Sequence, residues 1–373
     1  MHLRAFRNHA DTQVEFSPGI TLLLGNNGHG KTNLLEAISY LGLSKSFYAA
    51  NDSQVIMVGH DALEIQASMM HDSGRVSRVS VSADRASGEK AVQVNGSRLE
   101  RLSQLVGMFP VVILSPEQGG IVAGGPAERR RFLDLVLCQT SRSYLTDAFE
   151  YRRVLRQRNK LLLDARLAGT LPGRELPAWT DELIRIGSRL MSKRASFVHG
   201  LQAQFSATYG SLVATPVDAA VRYVTVDGVE GEMSADAIAP QLRGAIERQG
   251  MEERRRGTTL VGPHRDDLAF TINGMLSERY ASQGEQKTLL IALKFLEYEY
   301  VTARCEEAPI FLLDDIFAEL DRNRAAHVMT RLERGGQCII TATDELLIGG
   351  RRQWDNQPRR ILVESGTCRE APC

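Results

Sequence analysis

The sequence predicts an α/β protein in which a mixed sheet with flanking helices carries an antiparallel β subdomain and an inserted helical lobe. Three observations support this prediction. Short apolar strands occur near both ends of the chain, apolar and polar residues alternate between Gln54 and Val94, and a mostly helical, arginine-rich stretch runs from about Ala127 to Gly250. We therefore predict one domain made of residues 1–126 and 257–373, and a helical one made of residues 127–256.

The composition is that of an ordinary globular protein. The chain has 373 residues, of which 43% are hydrophobic and 24% charged, so it is long enough for two domains. Its 45 basic and 45 acidic side chains give a net charge of zero. The protein as a whole therefore exerts no electrostatic attraction on nucleic acid or anionic membranes, and any such binding requires a local basic patch.

The cysteines and the hydropathy pattern favour a cytoplasmic location. The five cysteines contain no C-x-x-C pair and leave one over if paired, which fits a reducing compartment; they are Cys138, Cys305, Cys338, Cys368 and Cys373. No apolar run reaches the roughly eighteen residues of a membrane span, and the first residues lack the plan of a signal peptide. We predict no association with a membrane.

The first chemical motif is a glycine-rich turn between an apolar strand and a helix. It fits the Walker A pattern, and its residues are Gly25, Asn26, Asn27, Gly28, His29, Gly30, Lys31 and Thr32. In such a loop, backbone N–H groups wrap the phosphates, the lysine reaches the β and γ phosphates, and the hydroxyl ligates Mg²⁺. A glycine turn that merely connects a strand to a helix gives no reason for Lys31 and Thr32 to follow Gly30. We predict a nucleotide site here.

Periodicity predicts the elements around this loop. Two short strands, at residues 3–6 and 13–16, precede the loop, and a helix follows it to about Tyr40. Asn95 and Gly96 form a hairpin turn within the alternating stretch. Further apolar strands are predicted at residues 109–114, 270–272, 310–313, 338–341 and 361–363.

A second motif closes the apolar strand at residues 310–313. Asp314 and Asp315 follow it directly, as the carboxylates of a Walker B motif do. We predict that Asp314 holds Mg²⁺ through water and that Asp315 orients or deprotonates the water that attacks the γ-phosphate. The alternative is a core strand whose acidic end is simply solvated. The Walker A loop upstream favours the first interpretation.

A third motif, Ser282-Gln283-Gly284-Glu285, begins a helix with one apolar face. A serine and a glycine at a helix N-terminus offer a hydroxyl and free N–H groups to a phosphate. Ser282 and Glu285 also have the spacing of a capping box, which needs no ligand. The residues alone leave both interpretations open.

The order of these motifs resembles the ABC-type P-loop ATPase heads of the SMC and RecF class. After Walker B come a Leu320-Asp321 pair and a strand that closes with polar residues at 341–344, as in that class. The resemblance implies that two heads sandwich two ATP molecules and that Ser282 and Gln283 meet the γ-phosphate bound by the partner. It therefore implies an ATP-dependent homodimer that hydrolysis releases.

Several stretches narrow the resemblance to the RecF family of recombination and repair proteins. In order along the chain they are FRN at residues 6–8, SPE at 115–117, ERRRFLD at 128–134, YRRVLRQRN at 151–159, GPHRDDL at 262–268, and LLDDIF with ELD at 312–317 and 319–321. The stretch at 151–159 resembles the family's YRRVLKQRN. By analogy with related heads, Arg7 would lie near the base or the α-phosphate. Gln118 replaces the acidic residue expected after SPE, so we assign it no role, and residues 169–250 carry little that resembles the family.

The resemblance also implies a function. Members of this family act in DNA replication, recombinational repair and the SOS response, where they help the RecO and RecR proteins load RecA at single-strand gaps. It implies a weak, DNA-stimulated ATPase that dimerises on ATP at gapped or single-strand/double-strand junction DNA. ATP and Mg²⁺ are the implied cofactors, and DNA, RecR-like and RecO-like proteins and a second copy of the chain are the implied partners.

A basic segment is the candidate DNA contact. Between Glu128 and Lys160 there are nine basic residues and four acidic ones, in a protein of zero net charge. Arg152, Arg156 and Lys160 are spaced by four, so one helical face would present them together to phosphates. Taken alone, such a run is most often a solvated face with internal ion pairs. Because the family binds DNA, we predict sequence-independent contact with the duplex backbone by five residues: Arg129, Arg130, Arg152, Arg156 and Lys160.

Two other functions share the phosphate loop. The nucleotide-binding subunit of a membrane transporter has the same motif order, but it would normally carry glutamate at position 315 and a histidine near Asp344. A P-loop kinase of small molecules would have no need of the motif at Ser282. Both observations favour the RecF-like function.

Overall fold

The computed structural model describes residues 1–47, 51–213, 216–348, 354 and 357–371. The chain divides into two compact units, the first made of residues 1–118 with 297–373 and the second of residues 119–296. Of the cysteines, Cys373 lies outside the described residues. Among the described helices, none has the length and apolar character needed to cross a bilayer.

The first unit begins with strands and one long helix. Its elements up to the unit boundary are β1 (His2–Phe6), β2 (His9–Gln13), β3 (Ile20–Leu24), α1 (Lys31–Leu43), β4 (Ala62–Met70), β5 (Val76–Asp84), β6 (Lys90–Val94), β7 (Ser97–Arg98) and β8 (Val111–Leu114). The second unit is mostly helical, with α2 (Gly120–Ala123), α3 (Pro126–Thr140), α4 (Arg142–Ala168), α5 (Leu176–Gly210), β9 (Ala219–Val224), α6 (Ala235–Arg256), β10 (Asp267–Ile272), β11 (Met275–Leu276), α7 (Ser277–Tyr280) and the start of α8 (Gln283–Thr302). The last elements are β12 (Ile310–Leu313), α9 (Arg322–Leu332), β13 (Cys338–Ala342), β14 (Arg359–Glu364) and β15 (Thr367–Glu370).

A largely parallel sheet forms the centre of the first unit. Its strand order is β15-β14-β3-β13-β12-β8, and only the edge strand β15 runs antiparallel to its neighbour. Strands β3, β13, β12 and β8 are apolar and buried, as parallel strands covered on both faces are. Leu24, Ala342, Leu313 and Leu114 end four of these strands, and the registers place those ends at one edge of the sheet. The residues that follow them form the candidate site.

The antiparallel subdomain is a six-stranded sheet with the order β2-β1-β4-β5-β6-β7. Leu3, Ile65, Val81 and Val92 lie opposite one another across four strands, and all are fully buried. The alternation that predicted this meander is the alternation of its buried and solvated faces. Asn95 turns the β6–β7 hairpin with a positive φ, as a two-residue hairpin turn requires.

One strand lies earlier than its sequence pattern predicted. β2 covers His9–Gln13 instead of residues 13–16, and it pairs with β1 from Phe6↔His9 to His2↔Gln13. His9 and Thr12 are its buried residues, and their polar atoms are hydrogen-bonded inside the protein. Because polar residues fill the inward positions, apolar alternation could not locate this strand.

The second unit extends beyond the predicted helical lobe. Its small sheet has the order β11-β10-β9, and β10 pairs with β9 over six residues. This pairing joins β9, which lies within the predicted helical lobe, to β10, which lies within the predicted first domain. The predicted boundaries at residues 126 and 257 therefore differ from the observed division after Gln118 and before Glu297.

Candidate nucleotide-binding site

The glycines of the phosphate loop are required by the backbone. Gly25, Gly28 and Gly30 have φ values of 150°, 80° and 107°. A Cβ on Gly25 would lie 2.3 Å from the carbonyl oxygen of Val363, and one on Gly30 would lie 2.5 Å from Asn8 Oδ1. Side chains are therefore excluded on steric grounds at both positions. Helix α1 begins directly after Gly30, so its free N–H groups face the loop.

Lys31 folds back over the loop. Its Nζ donates hydrogen bonds of 2.7 Å to the carbonyl of Gly25 and 3.0 Å to that of Asn26. The residue is only 6% exposed. Burial lowers the pKa of the Lys31 ammonium, and the carboxylates of Asp315 and Asp314 act in the opposite direction. The ammonium therefore lies at the loop, within the field of the acidic pair.

The loop is joined to the acidic strand end through Asp314. Thr32 donates from Oγ1 to Asp314 Oδ1 at 2.9 Å, and Thr341 donates to the same oxygen at 2.7 Å. Asp314 is 4% exposed, and burial raises the pKa of its carboxyl despite these two hydrogen bonds. The structure thus brings together Thr32 and Asp314, which the sequence placed 282 residues apart.

Thr341 is a site residue that sequence reasoning named only as part of a polar strand end. Besides Asp314, its Oγ1 accepts a 2.8 Å hydrogen bond from the backbone N–H of Asp315. One hydroxyl therefore orients both acidic residues. Its signal in the sequence was its position as the second-last residue of β13, the strand that lies between the phosphate-loop strand and the acidic strand.

Asp315 has a positive backbone φ and a carboxylate oxygen without a hydrogen-bond partner in the described part of the chain. Its φ is 49°, a left-handed conformation that an aspartate adopts at some cost. Its Oδ1 is shielded from solvent and has no hydrogen-bond partner among the described residues. Burial raises the pKa of the Asp315 carboxyl, and Lys31 opposes that shift. This shielded oxygen is available to accept a hydrogen bond or a proton.

Of the other side-chain atoms that share this property, three belong to the phosphate loop or to the segment after β8. Ser115 Oγ and Gln118 Oε1 follow strand β8, and His29 Nδ1 belongs to the phosphate loop; each is shielded and lacks a hydrogen-bond partner within the described ranges. Buried polar atoms are normally paired, so four unpaired ones in loops at one sheet edge indicate a site for a polar ligand. The hydroxyl and carboxylate oxygens of Thr32 and Asp314 are the donor types that Mg²⁺ prefers.

The backbone carbonyls of the phosphate loop are hydrogen-bonded by residues that the sequence did not single out as part of the site. Asn8 Nδ2 donates to the carbonyl of His29 at 3.1 Å, and the N–H of Gly366 donates to the same carbonyl at 2.9 Å. His9 Nε2 lies 3.1 Å from the carbonyl of Gly30. The FRN resemblance marked Asn8, but nothing in the sequence linked it to a turn near residue 366.

Arg7 lies against the helix that follows the phosphate loop. Its guanidinium forms two hydrogen bonds with the carboxylate of Glu36, of 2.7 and 2.8 Å, and one of 3.0 Å with the carbonyl of Gln54. Glu36 is buried on α1, so this contact fixes the arginine against the helix that follows the phosphate loop. Contact of Arg7 with the base or the α-phosphate stays a prediction.

The motif at Ser282 belongs to the second unit and forms the capping box. Glu285 accepts hydrogen bonds from both the N–H and the hydroxyl of Ser282, each at 2.8 Å, and the N–H of Glu285 donates back to the hydroxyl at 3.3 Å. Ser282 and Gln283 are exposed, and α8 begins at Gln283. The cap is thus formed, and an anion-binding role for these exposed residues stays a prediction.

Arg129 has to be removed from the predicted DNA contacts. It is 3% exposed, and its guanidinium donates to both carboxylate oxygens of Asp267, at 2.5 and 2.8 Å. Arg130 donates to the backbone carbonyl of Asp266 at 2.8 Å. A buried arginine with a bidentate carboxylate partner holds α3 against the start of β10, and it has no charge free for a phosphate.

Helix α4 presents the remaining predicted residues. Arg152, Arg156 and Lys160 are exposed on one of its faces, as their spacing predicted. Arg152 is 61% exposed and forms a 3.2 Å ion pair with Asp134, which is weak in water. Arg158, from the same helix, instead points inward and pairs with buried Glu253. The sequence could not separate this inward arginine from the outward ones except by helical phase.

Comparison with known proteins gives one consistent family. The family described as RecF/RecN/SMC N terminal domain matches residues 1–354. A DNA replication and repair protein RecF from Chloroherpeton thalassium is 41% identical over 347 residues, which are 92% of this chain and 94% of that protein. The protein of the same description from Salinibacter ruber is 38% identical, over 92% of this chain and 84% of its own length.

Solved structures agree with this family. A structure described as the recombination mediator protein RecF-ATP in the RecFOR pathway has a TM-score of 0.89 and 27% identity, covering 100% of this chain and 96% of that one. A structure of an SmcHead bound to a domain of ScpA has a TM-score of 0.54 and 15% identity, covering 99% and 96%, which supports the fold alone. These matches confirm the predicted ABC-type ATPase head. The chain therefore belongs to the RecF family of DNA replication and repair proteins.

Proposed function

We propose that this chain binds ATP with Mg²⁺ at the phosphate loop and hydrolyses it slowly as a switch. The observation that carries the proposal is the junction of Thr32, Asp314 and Thr341, beside which Asp315 keeps a shielded oxygen without a partner in the described part of the chain. A phosphate site normally combines such a loop with a metal-binding carboxylate and a group that orients water.

The roles follow from the chemistry of each group. Lys31 and the N–H groups of the loop bind the β and γ phosphates, and Thr32 and Asp314 would hold Mg²⁺. When bound, the metal neutralises charge on the phosphate oxygens. Asp315 orients the attacking water and accepts its proton, because its carboxylate has an unused acceptor. Gln118, whose Oε1 is also unpaired, is a second candidate for orienting that water.

We further propose that ATP joins two copies of the chain. Ser282 and Gln283 lie exposed at the N-terminus of α8, where a hydroxyl and free N–H groups suit an anion. In the dimer, these residues of one copy would meet the γ-phosphate bound by the other. The solved RecF relatives described with ATP and with ATPrS support nucleotide as the ligand of this fold.

The biological role proposed here is loading of RecA at single-strand gaps together with RecO-like and RecR-like proteins. The relatives are described as DNA replication and repair proteins, and the solved ones as recombination mediators of the RecFOR pathway. The transporter subunit and the small-molecule kinase are not favoured, because the matches to RecF proteins cover nearly the whole chain. The cytoplasmic location stays a prediction.

The proposal predicts an ATP-dependent dimer whose hydrolysis responds to DNA. Sizing chromatography should give a dimer with ATP and a monomer with ADP, and gapped duplex DNA should raise the ATPase rate several-fold. Single-stranded DNA of the same length and an intact duplex are the matched controls. A protein that stays monomeric with ATP and transfers phosphate to a small molecule would contradict the proposal and support a kinase.

We propose that DNA contacts the exposed face of α4. Of the five residues that the sequence suggested, only the accessible ones are kept. With Arg129 buried, the proposed contacts on α4 are Arg152, Arg156 and Lys160, and the half-buried Arg130 on α3 is kept as a further candidate. Each neutralised phosphate contributes a slope of about 0.9 to the dependence of log affinity on log salt. In the variant Arg152→Ala/Arg156→Ala/Lys160→Ala, the slope of log affinity against log salt, measured with ATP, should therefore be less steep by about two to three.

A charge-matched control separates this face from a general effect of net charge. Arg75→Ala/Arg78→Ala/Arg248→Ala removes three exposed cations that lie outside α4. Fluorescence anisotropy of labelled gapped DNA across a salt series measures both variants. If the α4 variant keeps the parent's slope while the control loses it, DNA binds elsewhere.

A further inference from the structure

His9 is a fully buried histidine that connects the phosphate loop to the hairpin between β14 and β15. Its Nε2 lies 3.1 Å from the carbonyl oxygen of Gly30, and its Nδ1 lies 2.9 Å from the carbonyl oxygen of Gly366. The residue is 0% exposed. Its imidazole fills the space that a side chain on Gly30 would need, since a Cβ there would lie 2.9 Å from Nε2.

The partners of this ring are all acceptors. Thr12 Oγ1, 3.2 Å from Nδ1, donates its own hydrogen to the carbonyl of Gly366 at 2.6 Å. Each ring nitrogen therefore faces oxygen lone pairs, and the ring can only act as a donor towards the loop and the hairpin. Burial lowers the pKa of His9, and its contacts with Gly30 and Gly366 act in the opposite direction. The neutral ring donates through one nitrogen at a time.

The geometry of the peptide bond links this contact to the phosphate site. The Gly30 carbonyl and the Lys31 N–H belong to one planar trans peptide unit, so they point in opposite directions. A donor such as His9 that binds the Gly30 carbonyl therefore orients the Lys31 N–H away from His9 and towards the loop. Leu34 also donates to this carbonyl, at 3.2 Å, in the first turn of α1.

The preceding peptide unit is held in the same way. The carbonyl of His29 accepts from Asn8 Nδ2 and from the N–H of Gly366, which aims the Gly30 N–H. Gly366 is positioned closely, because a Cβ on it would lie 2.0 Å from the backbone oxygen of Asn8. Two consecutive loop N–H groups thus have their orientation set by residues from β1–β2 and from the β14–β15 turn.

We propose that His9 is a positioning residue for ATP binding, which pre-orients the Gly30–Lys31 peptide unit towards the phosphates and couples it to the turn at Gly366. This inference rests on the proposed ATP site. His9 touches neither the phosphates nor the attacking water, so its loss should weaken nucleotide binding and leave the hydrolysis step almost unchanged.

Three variants test this role. His9→Leu replaces the ring by an apolar side chain of similar size and so removes both ring nitrogens. His9→Gln keeps a side-chain N–H donor. Thr12→Val keeps the shape of Thr12 and removes its hydroxyl, which donates to Gly366 and contacts the His9 ring. We expect His9→Leu to raise the KM for ATP about tenfold with kcat within about twofold, and we expect His9→Gln to recover most of the loss. Thr12→Val should raise KM about threefold.

The measurements are steady-state ATPase kinetics and ATP binding by titration calorimetry, at a temperature well below the melting point of each variant. A folded His9→Leu protein with the parent's KM would overturn the inference, as would a fall in kcat without a change in KM. If His9→Leu does not fold, the KM of Thr12→Val for ATP is the test. A KM equal to the parent's in Thr12→Val would then overturn the inference. A parent that binds no ATP, like its Lys31→Ala variant, would instead contradict the proposed function itself.

Discussion

Replacing Lys31 with alanine is expected to weaken ATP binding by about a hundredfold or more and to abolish the ATP-dependent dimer. The Lys31 ammonium is buried at the loop, where it lies within hydrogen-bond distance of the Gly25 and Asn26 carbonyls. Loss of one partner from a desolvated charge pair costs roughly 2–5 kcal/mol, and about 1.4 kcal/mol corresponds to a tenfold change in affinity. Titration calorimetry with ATP and sizing chromatography measure the two effects.

The control for this variant must separate the site from the fold. Arg75→Ala removes one exposed cation from the β4–β5 hairpin of the same unit, and it should bind ATP as the parent does. A melting temperature within a few degrees of the parent would show that Lys31→Ala is folded. Affinity within threefold of the parent in a folded Lys31→Ala protein would exclude this loop as the phosphate site.

Asp315→Asn is expected to slow ATP hydrolysis by about a hundredfold to a thousandfold while ATP affinity stays within a few-fold of the parent. General-base catalysis contributes factors of about 10²–10⁴, and an amide of the same size cannot accept the proton. The backbone contact with Thr341 does not depend on the side chain, so the left-handed conformation at position 315 is retained. Asparagine tolerates that conformation well.

The same variant should lengthen the life of the ATP-bound dimer on DNA. Single-turnover hydrolysis and dissociation from gapped DNA, followed after dilution into ADP, measure the two quantities. Glu306→Gln, which removes an exposed carboxylate after α8, is the matched control. A variant that hydrolyses ATP within threefold of the parent would show that Asp315 is not the general base. Gln118, whose amide can orient the water but cannot take its proton, would then be tested for the orienting role.

The chemical centre was predictable because parallel strands place their carboxyl ends together. The phosphate loop follows β3 and the acidic pair follows β12, and one strand, β13, lies between them. Motif order was therefore enough to predict that Thr32 and Asp314 meet. The strand order also explains the location of Thr341, the second-last residue of that intervening strand. Its location follows from the sheet, and its two hydrogen bonds require the hydroxyl that threonine supplies.

The support beneath the loop was not predictable, because it depends on contacts between distant residues with ordinary local patterns. His9 reads as a polar residue in a turn, yet it is 357 residues from Gly366 in sequence and in contact with it in space. The prediction that Arg129 contacts DNA was wrong for a related reason. A run of arginines does not reveal which of them meets a buried carboxylate, and its partner Asp267 lies 138 residues further on.

The strand order also determines when the site can exist during synthesis. β3 and its phosphate loop emerge early from the ribosome, but both neighbours of β3, the strands β13 and β14, come more than three hundred residues later. Contacts of such long sequence separation form slowly and late. A nascent chain that carries a complete Walker A sequence therefore lacks both neighbours of β3, the hydroxyl of Thr341 and the support of Gly366 until residues 338–366 have been made.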